Sequence, residues 1–239
     1  MLLNDLYPIL QSAYRRYHST ETALLKVTND ILLNMNSQRV SLLVLLDLSA
    51  AFDTIDHKIL LKRLQNNLGI GGTVLLWFAS YLSNRKQRIH VNGSISDEFT
   101  YNCGVPQGSC LGPLLFIIYA SDMFSVIDNH LLDSHGYSDD TQLYRSPNLN
   151  SANDQAHRFQ EMENSISDLR DWMTSSKLKM NNDKTECISI GTRQQLTKLS
   201  INHISVGDTT VATSRTVRNL GTLLDSNMSF HEQINKLSK

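Results

Sequence analysis

The sequence predicts an α+β fold: an antiparallel sheet with helices on one face. Three observations carry this. Ser41-Leu-Leu-Val-Leu-Leu-Asp-Leu is an apolar run of the length and continuity of a strand buried on both faces. Tyr137-Ser-Asp-Asp140 breaks two short runs of strand character, which predicts a tight hairpin with both acids at its tip. Phe159, Met162, Ile166, Leu169 and Met173 recur in steps of three and four, which predicts one amphipathic helix from about Asn153 to Ser176.

The remaining elements follow in order. Leu24, Val27, Ile31 and Met35 fall at helical spacing within Thr20 to Met35, a helix packing on the sheet. His57 to Leu68 carries Leu60, Leu61, Leu64 and Leu68 on one helical face and stops at Gly69; Thr73 to Leu82 reads as a further helix. Gln87 to Phe99 reads as a hairpin turning at Asn92-Gly93. The Gly- and Pro-rich stretch from Cys103 to Pro113 marks a shaped loop leading into a helix over the apolar Leu114 to Tyr119. Glu186–Ile190, Ser200–Val206, Thr209–Ala212 and Asn219–Leu224 read as short strands, and Ser146 to Asp154 as a loop.

Length and composition bound the function. A chain of 239 residues that is 41% hydrophobic buries one sizeable core and a smaller appendage. No run approaches the roughly 20 apolar residues of a membrane span, and the start lacks the basic region of a signal peptide. Cys103, Cys110 and Cys187 have neither zinc-site spacing nor an even count, which points to a reducing, intracellular setting and to small buried thiols. Net charge is −1, a weak footprint for a nucleic-acid binder. The distribution is uneven: ten Lys and Arg face six Asp and Glu up to His90, twelve face seventeen beyond it. Arg85, Lys86 and Arg88 belong to the basic part.

The chemistry sits in three acids. An ionised Asp47 at the end of a buried strand is costly unless paired, hydrogen-bonded or metal-bound. Phosphoryl transfer gives such a residue a use, because two divalent cations roughly 4 Å apart need convergent carboxylates. Oxygen ligands favour Mg²⁺. Asp139 and Asp140 also suit a solvated turn, and the loop at Gln107 also suits a plain turn before a core helix. No Ser-His-Asp or Cys-His order competes.

Asp47-Leu-Ser-Ala-Ala-Phe-Asp53, GVPQGS and YSDD, in this order, resemble motifs A, B and C of reverse transcriptases. QSAYRRYHSTETALL, LLDLSAAFDTIDH, WFASYLSNRKQR, GVPQGSCLGPLLF and YSDDTQLY are similar to non-LTR, LINE-type retrotransposon polymerases, especially the jockey-like group. KLKMNNDKTECISIG resembles their motif D and VRNLGTLLD the stretch beyond it. The likeness implies a right-hand polymerase palm with partial fingers over residues 1–195, and the end of the palm and start of a thumb over 196–239.

The resemblance also implies roles. Asp47, Asp139 and Asp140 would hold two Mg²⁺ ions, with Mn²⁺ as a possible substitute, for nucleotidyl transfer to a primer 3′-hydroxyl. Leu48, Ala51, Phe52, Gln107 and Gly108 would line the nucleotide site, with Phe52 as steric gate under the sugar. Lys184 would be the general acid toward pyrophosphate. Arg15 and Tyr137 would lie near template or primer. RNA template, DNA primer and dNTPs are the implied partners, and further finger, thumb and endonuclease segments are expected outside the chain, so poor polymerisation by the chain alone is expected. An inert retroelement relic is the alternative; a nucleotide cyclase is disfavoured by the PQG loop and DDTQLY.

Overall fold

The computed structural model describes residues 7–106 and 108–238. Helix α1 (Thr20–Asn36) opens with a capping box between Ser19 and Thr22, so orphan amides of its first turn are satisfied locally. Strand β1 (Ser41–Leu46) follows, buried along its whole length as its composition demands. Asp56 caps α2 (His57–Asn66) by accepting from the Lys58 and Ile59 amides. Then comes α3 (Gly72–Leu82). The predicted hairpin is present as β3 (His90–Val91) and β4 (Ser94–Ile95), nested inside β2 (Arg85–Gln87) and β5 (Phe99–Tyr101). Its turn has positive φ at both Asn92 and Gly93, which those two residue types tolerate.

The Gly-rich loop feeds α4 (Gly112–Ala120), with Pro113 in its first turn, and α5 (Met123–Asp128). The acidic hairpin is β6 (Asp133–Tyr137) and β7 (Asp140–Arg145), and α6 (Ala152–Ser175) is the long amphipathic helix. After β8 (Glu186–Ile190) come the short α7 (Arg193–Leu196), the hairpin β9 (His203–Val206) with β10 (Thr209–Ala212), and α8 (His231–Leu237). The predicted strand Asn219–Leu224 is instead the centre of a second hairpin, β11 (Thr216–Asn219) and β12 (Thr222–Asp225). Leu220 and Gly221 both take positive φ there, and a turn made partly by Leu carries little signal in composition.

The central sheet is antiparallel, in the order β6-β7-β1-β8. Alternation along β1 divides the core. Leu42, Val44 and Leu46 join Leu60 and Leu64 of α2, Leu115 and Phe116 of α4, and the Phe159–Met173 stripe of α6. Leu43 and Leu45 point the other way, toward Val27 and Ile31 of α1, Tyr144, Ile188 and the hairpin residues Val217 and Leu224. Of the three thiols only Cys187 is buried, with its pKa pushed up to about 12 by that burial; Cys103 and Cys110 are exposed because the loop carrying them runs over the surface. No described helix is long and apolar enough to cross a membrane.

Candidate active site

Antiparallel register brings the acids together. β1 pairs Leu45 with Gln142 and Leu46 with Thr141, so one further step sets Asp47 across from Asp140. Tyr137 pairs with Asp140 and closes a two-residue turn of Ser138 and Asp139. Only Asp139 therefore sits in the turn, while Asp140 begins β7. By strand alternation Asp47 shares the face of Leu43 and Leu45. There the cover of that face gives way to a cavity of about 430 Å³, lined by Asp47, Asp140, Asp183, Lys184, Glu186 and Arg218 among others.

The electrostatics of this cavity are those of crowded anions. Asp140 is exposed to solvent yet flanked by protein, and its pKa is pushed up to about 6, by burial first and then by the charges of Asp139 and Asp47. Among the described residues Asp47 Oδ2 is buried without a hydrogen-bond partner. A buried, unpartnered carboxylate oxygen is expensive, and a cation is the partner such a site fits. Two cations line the cavity, Lys184 and Arg218, and the Lys184 Nζ lies 3.7 Å from Asp47 Oδ2 on a side chain that is 70% exposed. Among the described residues no three His, Cys, Asp or Glu side chains enclose a metal position.

The segment after Asp47 is fixed from two sides. Asn181 N–H donates to Asp47 O at 2.9 Å and Ser49 N–H to Lys179 O at 2.8 Å, which ties it to the 3₁₀ turn Asn182–Lys184 that carries Lys184. On the other side Val105 N–H donates to Phe52 O at 2.9 Å and Gly104 N–H to Ile55 O at 2.6 Å. Gly104 has φ +81°, and a Cβ there would stand 2.7 Å from the Asp53 carbonyl oxygen, so only glycine allows this approach. Ala51 and Leu48 are buried, and Phe52 is partly buried on Phe116 with ring centroids 4.8 Å apart. A wider cleft of about 790 Å³ borders this junction, lined by Asp53, Arg85, Lys86, Gln87, Tyr101 and Pro106.

The remaining predicted residues scatter. Gly108 is exposed with φ +78° and nothing near its Cα substituent position, and Gln107 lies outside the described residues. Arg15 lines neither cavity: it donates to Ile9 O at 3.2 Å and lies over the Tyr7 ring. Sequence reasoning missed Asp183, Glu186 and Arg218 as cavity residues, although the first two flank Lys184 in the motif D stretch. It also missed Gln11, which bonds the backbone of Ser138 from 127 positions away; no local pattern signals that.

The profile of the reverse transcriptase (RNA-dependent DNA polymerase) family matches residues 2–224. The probable RNA-directed DNA polymerase from transposon BS of Drosophila melanogaster is 29% identical over 197 residues, 80% of this chain and 21% of that protein. The RNA-directed DNA polymerase from mobile element jockey of the same species is 25% identical over 238 residues, 97% of this chain and 25% of that protein. This chain thus spans about a quarter of the length of these relatives. In fold it is similar to telomerase from Candida tropicalis in complex with a TWJ fragment of telomeric RNA, with TM-score 0.61 and 14% identity over 91% of this chain and 33% of that one. With a palm-like sheet presenting Asp47 beside an acidic hairpin, and a family match over nearly its whole length, the chain belongs to the reverse transcriptase family.

Proposed function

We propose that this chain is the fingers-and-palm part of an RNA-directed DNA polymerase of a jockey-like non-LTR retrotransposon, with residues 196–239 ending the palm and beginning the thumb. One observation carries the reading: Asp47, whose Oδ2 has no hydrogen-bond partner among the described residues, lines the same cavity as Asp140, whose ionisation is opposed by burial and then by the charges of Asp139 and Asp47. Asp47, Asp139 and Asp140 would hold two Mg²⁺ ions, or Mn²⁺ in their place. Bound there, the ions would activate the primer 3′-hydroxyl and stabilise the leaving pyrophosphate oxygen.

The chain's own residues supply positioning, which dominates where the protein contributes no nucleophile. Phe52, propped by Phe116, would lie under the incoming sugar and exclude a 2′-hydroxyl. Ala51 would present backbone to the triphosphate beside Leu48, Gln107 and Gly108. Lys184 would donate a proton to pyrophosphate from a position already next to Asp47. Tyr137, closing the acidic turn, and Arg15 would meet the primer and template. Arg85 and Lys86 in the wider cleft offer cations to RNA template phosphates.

The test is RNA-templated extension of a DNA primer with dNTPs and Mg²⁺, alongside Asp139→Asn. Extension lost in the variant supports the assignment. Extension that survives it, or is independent of added metal, overturns it.

A further inference from the structure

Gln11 lies outside the cavity, yet both polar atoms of its side chain are spent on the turn that carries Asp139. Gln11 is 2% exposed. Nε2 donates to Ser138 O at 3.0 Å, and Oε1 accepts from Ser138 N–H at 2.9 Å and from Ala13 N–H at 3.0 Å. One side chain thus holds both backbone polar groups of Ser138. The Tyr14 hydroxyl adds a contact of 3.3 Å to Ser138 Oγ.

The surrounding backbone is arranged to bring Gln11 there. Gly136 N–H donates to Leu10 O at 2.8 Å and Ser12 N–H to Gly136 O at 2.9 Å, so Gln11 runs parallel to β6 as a short added edge. Ser12 Oγ meets His135 Nε2 at 2.9 Å. A Cβ at position 136 would stand 2.6 Å from Phe124 Cζ and 3.1 Å from Gln11 Nε2, so a side chain there would push on both.

Ser138 needs such a hold because it takes φ +59°, left-handed backbone that a serine disfavours. The two-residue hairpin favours positive φ at this position and the serine side chain opposes it, so a turn freed of Gln11 would have negative φ open to it. The peptide that follows Ser138 then rotates, and with it the direction in which Asp139 leaves the turn. We propose that Gln11 is a positioning residue: its carboxamide fixes the Ser138 peptide and thereby sets the backbone from which Asp139 and the cavity-lining Asp140 project. This rests on the reading of those acids as metal holders.

The test uses the 239-residue protein and Gln11→Met, which keeps the bulk and removes the hydrogen bonds, with Ser138→Gly alone and in combination. Glycine adopts left-handed φ as readily as right-handed. Amide hydrogen exchange at Ser138, measured without metal, should accelerate about tenfold or more in Gln11→Met, the scale of one lost hydrogen bond. Mn²⁺ affinity, read by the EPR signal of free ion, should weaken by about the same factor. Adding Ser138→Gly should restore most of the Mn²⁺ affinity without restoring the melting temperature. A purely structural Gln11 would lower the melting temperature, leave Mn²⁺ affinity intact and gain nothing from Ser138→Gly; that pattern overturns the proposal and leaves the polymerase reading standing. Wild-type protein that binds no Mn²⁺ would overturn both.

Discussion

Replacing Asp140 with Asn should stabilise the protein in the absence of metal and weaken its response to Mg²⁺. The Asp140 pKa lies at about 6 against an ordinary 3.8, a difference of roughly two units. At about 1.4 kcal/mol per unit the ionised carboxylate would cost the fold at most about 3 kcal/mol. Asp140 is exposed to solvent, and screening there reduces the figure to about 1 kcal/mol. For a chain of this length that is about 2–4 °C in melting temperature. An acid whose pKa rises on folding binds its proton more tightly in the folded state. The penalty is therefore nil below the unfolded value near pH 4, grows as pH rises, and is complete above pH 6. Thermal unfolding in EDTA at pH 4, 6 and 8 should give curves that coincide at pH 4 and separate in favour of Asp140→Asn by pH 8. Mg²⁺ should raise the wild-type melting temperature more than that of the variant, since binding only to the folded site stabilises it. A variant less stable than wild type at pH 8, or a gap independent of pH, would refute the picture of crowded anions awaiting a cation.

Three further substitutions test the site. Phe52→Ala removes the ring packed on Phe116 and should cost about 2–3 kcal/mol of stability. It should also erode discrimination against ribonucleotides by about 1–3 kcal/mol, read from competing dNTP and rNTP incorporation; unchanged discrimination would leave Phe52 as core alone. Gly104→Ala forces a Cβ to within 2.7 Å of the Asp53 carbonyl at φ +81°, and denaturant unfolding should register a loss of about 1–3 kcal/mol. Lys184→Ala breaks only a long, exposed ion pair, so stability should move by less than about 0.5 kcal/mol. Primer extension by the same variant should slow on the order of 100-fold, and an unchanged rate would remove Lys184 from the proton transfer.

Most of the elements and all of the motifs are legible in the chain locally, though the helices at Met123, Arg193 and His231 are not. The helices at Thr20, His57 and Ala152, the buried strand at Ser41 and the turn at Asn92-Gly93 stand where periodicity and turn chemistry put them, because those signals act between residues a few positions apart. The motif order likewise carried the family, and Asp47 could be picked out as an acid at the end of an otherwise apolar strand. Where a strand pattern is interrupted by a Leu-Gly turn, as at Leu220, the local signal failed and one strand was read for two. Only the tertiary structure decided which residues share the cavity. Register between β1 and β7 sets Asp47 against Asp140, and nothing within either strand specifies its partner. Tertiary structure also placed Asp183, Glu186 and Arg218 in the same cavity, and moved two of the three thiols to the surface. The hold of Gln11 on Ser138 belongs to the same class: two hydrogen bonds between side chain and backbone, with orientation set by the folded chain, leave no period or composition in the sequence that reports them.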